Sequence, residues 1–134
     1  MKRQYNKCVI KRCFHIIVFM LGLVSCAGEV RITRTLDTPP VIFPDYTDVT
    51  IPANIAPLHF KLADSIDYDK AQVVFETGTQ HLTLEEKKGQ FAIPASSWKK
   101  LMKDAAGSTL RVTVRIRQQD QWAGFQPFQI FVAP

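Results

Sequence analysis

The sequence contains no acidic residue before Glu29, although its 134 residues include 12 Asp+Glu and 17 Lys+Arg. Five of the basic residues lie within the first twelve positions, so the formal net charge of +5 is concentrated at the N-terminus. Residues 26–134 hold the other 12 basic and all 12 acidic residues, which makes that part neutral. A basic protein suggests a polyanionic partner. Because the excess charge lies only in residues 1–25, we expect no nucleic-acid partner.

Cysteine and long apolar runs are scarce as well. The three cysteines, Cys8, Cys13 and Cys26, are too few for a disulfide-rich scaffold. The apolar run at residues 16–24 is much shorter than the ~20 apolar residues that a transmembrane helix needs. A basic segment followed by a short apolar run is typical of a secretory signal peptide. We therefore predict export from the cytoplasm.

The apolar run ends in Leu23-Val24-Ser25-Cys26, which resembles the bacterial lipobox, where a small residue precedes a cysteine that receives lipid. The resemblance implies cleavage before Cys26 and acylation of Cys26, for instance with palmitate. Each buried methylene contributes about 0.8 kcal/mol, so two or three acyl chains would hold the protein on a membrane. The alternative is a plain secretory signal with an ordinary thiol at Cys26. The position of this cysteine, directly after the apolar run, favours a lipoprotein of the cell envelope, anchored to the outer membrane.

Residues 26–46 contain few apolar side chains, and three prolines within them favour extended backbone. This composition predicts a lipidated tether, which could span ~60 Å if it were fully extended. The predicted organisation is a signal peptide at residues 1–25, a tether at residues 26–46 and a folded body at residues 47–134.

The body shows short runs in which apolar and polar residues alternate, as in β-strands. In the clearest run, residues 110–117, the even positions are apolar and most odd positions are arginine. A shift of one residue would bury the arginines, so the register of this strand is well specified. About seven such strands, spaced by roughly ten residues, predict a mainly all-β fold, an immunoglobulin-like antiparallel β-sandwich. The missing βαβ rhythm disfavours a doubly wound nucleotide-binding fold.

One short helix interrupts the predicted strands. Its apolar stripe is formed by Trp98, Leu101 and Met102. Ser96 or Ser97 is the predicted N-cap, because a serine hydroxyl can accept a backbone N–H hydrogen bond there. Gly107 suits the left-handed residue that ends such a helix. Since Trp98 lies on the apolar stripe, we assign it to the core.

The sequence has no catalytic motif: no G-x-S-x-G, no Gly-rich phosphate loop and no paired carboxylates. Histidine is scarce, and no spacing typical of a zinc site occurs. Asp64, Asp67 and Asp69 form D-x-x-D-x-D, which is either a calcium loop or a solvated turn. The glycine and the distant glutamate of a calcium loop are missing, which favours the turn. We therefore predict no metal, no cofactor and no enzymatic activity.

Arg111, Arg115 and Arg117 lie on one face of the clearest strand, and Trp122 follows soon after. Guanidinium groups beside an indole ring could bind an anionic glycan, so these four residues form a candidate ligand face. The alternative is a solvated sheet face, in which acidic side chains on a neighbouring strand pair with the arginines. Trp122 has no clear place in a core pattern, and both alternatives stay open.

Three stretches of the body carry a resemblance to a known family. They are residues 42–58, the segment from Ile93-Pro94 to Leu101, and the segment from Trp122 to the C-terminal Val132-Ala133-Pro134. Together they resemble the N-terminal module of surface lipoproteins of Gram-negative anaerobes, which continue into a TolB-like, WD-repeat-like β-propeller. The propeller repeats are absent here, so the sequence is either a fragment of such a protein or a tethered module by itself.

These observations predict a non-catalytic, lipid-anchored envelope module that acts as a spacer or a protein-interaction domain. Its expected partners are the membrane, through the lipid on Cys26, and an envelope protein or glycan. The alternative function is carbohydrate binding through Trp122 and the arginine face.

Overall fold

The computed structural model describes residues 30–134; the predicted signal peptide and Cys26 lie outside these residues. Within this range the chain forms nine strands and one helix. In chain order they are β1 (Ile32–Thr35), β2 (Ile42–Phe43), β3 (Thr50–Pro52), β4 (Lys61–Leu62), β5 (Lys70–Glu76), β6 (His81–Glu85), α1 (Ala95–Ala105), β7 (Ser108–Gln118), β8 (Gln121–Gly124) and β9 (Phe128–Ala133).

The long strand β7 is the centre of a seven-stranded sheet. On one side it pairs antiparallel with β5, which in turn pairs with β6. On its other side β9 pairs with the first half of β7, and β8 pairs with the second half. The sheet continues outward through β1, a parallel partner of β8, and β3, a parallel partner of β9. Strands β8 and β9 are separated by residues 125–127, which include Pro127, a residue that cannot donate a ladder hydrogen bond.

A small second sheet, β2 with β4, packs its apolar side chains into the same core as the large sheet. An isolated bridge between Phe60 and Phe91 extends this layer, with ring centroids 4.9 Å apart. The core contains Ile42 and Leu62 from the small sheet and the apolar residues of β5 and β7 from the large one. The prediction of a mainly β, sandwich-like fold with one short helix is confirmed. The sandwich is not wholly antiparallel, because β1 and β3 join it in parallel.

The predicted faces of β7 are confirmed. Leu110, Val112 and Val114 have no exposed surface, and Ile116 is 2% exposed. Their partners on β5, Ala71, Val73 and Phe75, are buried as well. The arginines alternate with these residues and lie on the opposite face of the sheet. The register of the central strand is therefore fixed by the difference between its buried apolar face and its cationic face.

Helix α1 begins two or three residues earlier than the predicted serine caps would place it. Pro94 is the N-cap, and no side chain caps the helix, so the assignment of Ser96 or Ser97 is wrong. Both serines are already inside the first turn, where their own backbone is helical and cannot serve as a cap. At the other end Gly107 has φ +73°, as predicted for a residue that follows a helix and requires the left-handed region.

The predicted boundary between tether and body at residue 46 is wrong, because residues 32–46 contribute two strands to the fold. Strand β1 pairs with β8, and the Thr33 hydroxyl donates a hydrogen bond to the Trp122 carbonyl at 3.0 Å. In β2, Ile42 is 2% exposed and pairs with Leu62. The extended backbone that the prolines favour is also the backbone of a strand. Residues 27–31 are the residues between Cys26 and the first strand.

The two ends of the described chain lie at opposite ends of β7. Ile32 is opposite Trp122, which is opposite Arg117 near the end of β7. Val132 is opposite Ser108 at the start of β7, and the Gly107 N–H donates to the Val132 carbonyl at 2.8 Å. Nine residues of strand separate these positions, which corresponds to about 30 Å. The start of β1 and the end of β9 therefore lie at opposite ends of the body.

Asp104 fastens the turn between β5 and β6 to the last turn of α1. Its carboxylate accepts hydrogen bonds from the hydroxyls of Thr77 and Thr79, the latter at 2.5 Å. The Thr77 bond, then the Thr79 bond, hold the pKa of Asp104 below its ordinary value. The folded state therefore binds this proton less readily than the unfolded chain. The resulting stability is present above the unfolded pKa of about 3.9 and is lost as the pH falls through the lower folded value.

We expect Asp104→Asn to lower the melting temperature at pH 7 by about 1–3 °C, a small effect because the carboxylate is exposed. The difference from the parent protein should shrink as the pH falls from 5 towards 2. Melting curves of the two proteins at several pH values test this. Asp37→Asn, which changes another exposed carboxylate, is the control. A difference that stays constant with pH would contradict the role of the charged form.

Candidate ligand-binding site

The arginine ladder, defined as Arg111, Arg115 and Arg117, lies on the outer face of the large sheet. Arg111 is exposed, whereas Arg115 and Arg117 are half-buried. The Nε atoms of these two are buried and make no hydrogen bond within residues 30–134. Their stems are therefore packed on the sheet rather than extended into solvent, which is common for long cationic side chains.

The acidic partners that could neutralise the ladder are only partly in place. Glu76 on β5 lies directly opposite Arg111 in the register, but within residues 30–134 no ion pair joins them. Arg117 has one partner, Asp120 in the β7–β8 turn, at 3.9 Å. Such an exposed pair contributes little. Among residues 30–134 the ladder is therefore a sheet face whose charges are mostly without an ion-pair partner.

A cavity of about 410 Å³ lies instead at one end of the sandwich. We call it the end cavity. Its wall is built by β1, the loop before β5, the β7–β8 turn and the start of β8, and the side chains that matter most are Arg34, Asp67, Tyr68, Asp69, Gln118 and Trp122. Of the four predicted ligand residues, Trp122 alone lines this cavity. The structure does not bring the three arginines of the ladder to it.

Gln118 holds the wall of the end cavity together. Its side-chain oxygen accepts a hydrogen bond from Arg34 Nη2 at 3.0 Å, and its Nε2 donates to the Asp67 carbonyl at 2.6 Å. The Asp69 N–H donates to the Arg117 carbonyl at 2.8 Å. Three segments distant in sequence are thereby fixed against one another. The cavity is preformed by the protein's own hydrogen bonds.

The electrostatics of the end cavity differ from those of the ladder. Asp67 and Asp69 bring two carboxylates, and Arg34 brings one guanidinium. Within the described part of the chain, neither carboxylate forms an ion pair. Burial, followed by the charges of Glu86 and Asp64, raises the pKa of Tyr68, so its hydroxyl stays protonated and can donate a hydrogen bond at neutral pH. The cavity thus offers donors and acceptors without an excess of positive charge.

Other predicted residues have structural positions. Trp98 is 2% exposed, and its indole Nε1 donates to the Ile55 carbonyl at 3.0 Å, as expected of a core residue. Asp67 and Asp69 of D-x-x-D-x-D reach the end cavity, whereas Asp64 lies near Lys61 at 3.5 Å. Between residues 30 and 134, no group of three or more His, Cys, Asp or Glu side chains is arranged to hold a metal ion.

An apolar surface lies on the small sheet, away from the end cavity. Val41 and Phe43 are exposed there, and Phe43 lines a shallow depression of about 590 Å³ together with Pro44 and Phe60. Lys61 and Lys88 stand at the same depression. Exposed apolar side chains beside charged ones are the usual composition of a protein contact surface.

Sequence reasoning identified Trp122 but missed Arg34, Tyr68 and Gln118. Arg34 and Gln118 are far apart in the chain, and each looks like an ordinary polar residue in its own segment. No local pattern connects them, since only the parallel pairing of β1 with β8 brings them together. The aspartates were noticed as a group, but they were interpreted as a solvated turn rather than as part of a binding site.

Comparison with known proteins gives no relative: no protein-family model, no curated protein and no solved structure matches this chain. Among the described residues, none of the helices has both the length and the apolar character needed to cross a bilayer.

Proposed function

We propose that this protein is a non-catalytic module of the cell envelope, lipid-anchored at Cys26 on the outer membrane, that acts as a spacer and protein-interaction domain. The observation that carries the proposal is the course of the chain through the body. The lipid-bearing position precedes β1 by six residues, which can span at most about 20 Å. Strand β1 starts at the end of the sandwich that holds Arg117, and β9 finishes about 30 Å away.

This geometry gives the two ends of the module different positions relative to the membrane. The end with the short linker stays close to the membrane, and the far end, where β9 finishes, projects from it. In the propeller lipoproteins that the sequence resembles, a following domain would be held at that far end. The exposed Val41 and Phe43 support a protein contact on the side of the module.

Palmitate labelling in cells tests the anchor. We expect Cys26→Ala to abolish incorporation of labelled palmitate and to release the protein from the membrane fraction, because no other cysteine lies next to the predicted cleavage site. Cys13→Ala, a cysteine change inside the signal segment, is the matched control and should leave labelling intact. Equal labelling of the Cys26→Ala variant and the parent would refute the lipid anchor.

A second function, carbohydrate binding, is supported by the end cavity. A concave site that combines one indole ring with amide, carboxylate and guanidinium groups offers the contacts that a polyhydroxylated ligand requires. This support comes from the cavity and not from the arginine ladder.

A further inference from the structure

We infer that the end cavity is a binding site for a neutral oligosaccharide. The inference deepens the second proposed function and rests on it. Its volume of about 410 Å³ falls within the ~300–1,000 Å³ of small-molecule sites and can admit a sugar unit. None of the ladder residues lines the cavity, although the Arg117 backbone pairs with Trp122 and bonds Asp69. The site is therefore distinct from most of the face that the sequence suggested.

Trp122 supplies the apolar surface of the site. A sugar ring exposes C–H groups on its faces and hydroxyls around its rim, so a flat aromatic ring can stack on it while polar groups bind the rim. The backbone of Trp122 is held on both sides, by Arg117 on β7 and by Ile32 on β1. Its carbonyl also accepts the Thr33 hydrogen bond. The backbone that carries the ring is therefore already in place before a ligand binds.

Polar groups for the hydroxyls stand around the ring. Asp67 and Asp69 provide carboxylate acceptors, and Arg34 provides guanidinium donors in a planar fork. Because Gln118 bonds both Arg34 and the Asp67 carbonyl, the donor and the acceptors keep a fixed spacing. Neighbouring hydroxyls of a sugar can each donate and accept, which suits a wall that presents both kinds of group.

The charge of the wall indicates which sugars fit. The lining has two carboxylates and one guanidinium, and the neighbouring Arg117, opposite Trp122 in the register, is paired with Asp120 at 3.9 Å. A sulfate or a carboxylate on the ligand would therefore meet a site of like net charge. An anionic glycan, the ligand suited to the ladder, is therefore disfavoured here. A neutral chain of hexoses or N-acetylhexosamines matches the site better.

The test uses the full-length lipoprotein, purified in a detergent without a sugar headgroup, on an array of neutral, sulfated and sialylated oligosaccharides. We expect binding to neutral glycans and none to the acidic ones. Calorimetric titration with the best neutral glycan should then give a roughly tenfold or greater loss of affinity for Trp122→Ala, and a similar loss for Asp67→Asn. Arg111→Ala, a control on the ladder, should bind like the parent.

One further variant guards against a misfolded mutant. Gln121→Ala changes an exposed residue at the rim of the cavity and should weaken binding less than Trp122→Ala while leaving the circular dichroism spectrum unchanged. The inference is overturned if no neutral glycan binds, if acidic glycans bind and Arg111→Ala abolishes their binding, or if folded Trp122→Ala binds unchanged. Palmitate labelling of Cys26 is independent of all these results, so failure of the sugar site leaves the proposed anchor standing.

Discussion

Replacing Trp98 by alanine is expected to lower the free energy of unfolding by about 3–5 kcal/mol, the usual cost of removing a large aromatic side chain from a core. Trp98 is 2% exposed, and its ring meets Phe75 edge-on, with centroids 6.1 Å apart. Its indole N–H also satisfies the Ile55 carbonyl. Since α1 has no side-chain N-cap, burial of its apolar stripe is what holds the helix in place.

Urea unfolding of the chain from Ala27 onward, followed by far-ultraviolet circular dichroism, measures this loss. Trp98→Phe keeps a ring near Phe75 but removes the N–H donor, so it should cost about 1–3 kcal/mol. Trp122→Ala is the matched control, because it removes the same side chain from a half-buried position. Equal losses from the two alanine variants would show that Trp98 does not have the core role assigned to it.

The stretches of the fold that could be predicted are those whose two faces differ in chemistry. Strand β7 alternates apolar and cationic residues, and only one register keeps the arginines out of the core. Strand β1 gives no such signal, since its burial pattern runs from a half-buried Ile32 to three exposed residues. It is held by parallel pairing with a strand that is distant in sequence, and a single sequence contains no trace of that pairing. The prolines indicated extended backbone correctly, but a tether and an edge strand share that property.

The candidate site was predictable only where one residue departed from the core pattern. Trp122 was noticed because it had no place on a buried stripe, and it lines the end cavity. The arginine ladder was equally visible in sequence, yet none of its three residues lines the end cavity. The end cavity forms because segments distant in sequence meet, here through the hydrogen bond of Gln118 to the Asp67 carbonyl. The alternation of apolar and polar residues in a sequence cannot reveal such a meeting. A charge pattern in a sequence can thus predict one face of a strand, whereas a cavity can be identified only from the folded structure.

The segment between Cys26 and β1 is shorter than the predicted tether, and this affects how far from the membrane a ligand of the end cavity would bind. Because β1 pairs with β8, the end cavity is at the same end of the sandwich as the segment that leads from Cys26. If Cys26 carries lipid, β1, which contributes Arg34 to the cavity wall, begins within about 20 Å of the membrane surface. The apolar patch at Phe43 belongs to the small sheet and stands apart from the end cavity. Sugar binding and protein contact would then use separate parts of one small module.

Introducing a carboxylate at two adjacent positions of β9 should change the free energy of unfolding by very different amounts. The change at Ile130 is the second large effect that we expect. Ile130 is 2% exposed and lies opposite Leu110 in the centre of the large sheet. Ile130→Asp removes apolar burial and places an unpaired charge in the core, which should cost more than about 4 kcal/mol. Small domains have ~5–15 kcal/mol of stability in total, so this variant should be largely unfolded at 37 °C.

Gln129→Asp is the matched control, since it places the same side chain one residue away. Gln129 is exposed and lies opposite Arg111, whose charge would attract a carboxylate. Its N–H donates to Asp48 Oδ1 at 3.3 Å, and the Asp48 charge would oppose a second carboxylate there. These two influences offset each other, so the free energy of unfolding should change by less than about 0.5 kcal/mol. Urea unfolding of both variants decides the matter: similar losses, or a larger loss for Gln129→Asp, would mean that β9 does not turn Ile130 towards the core.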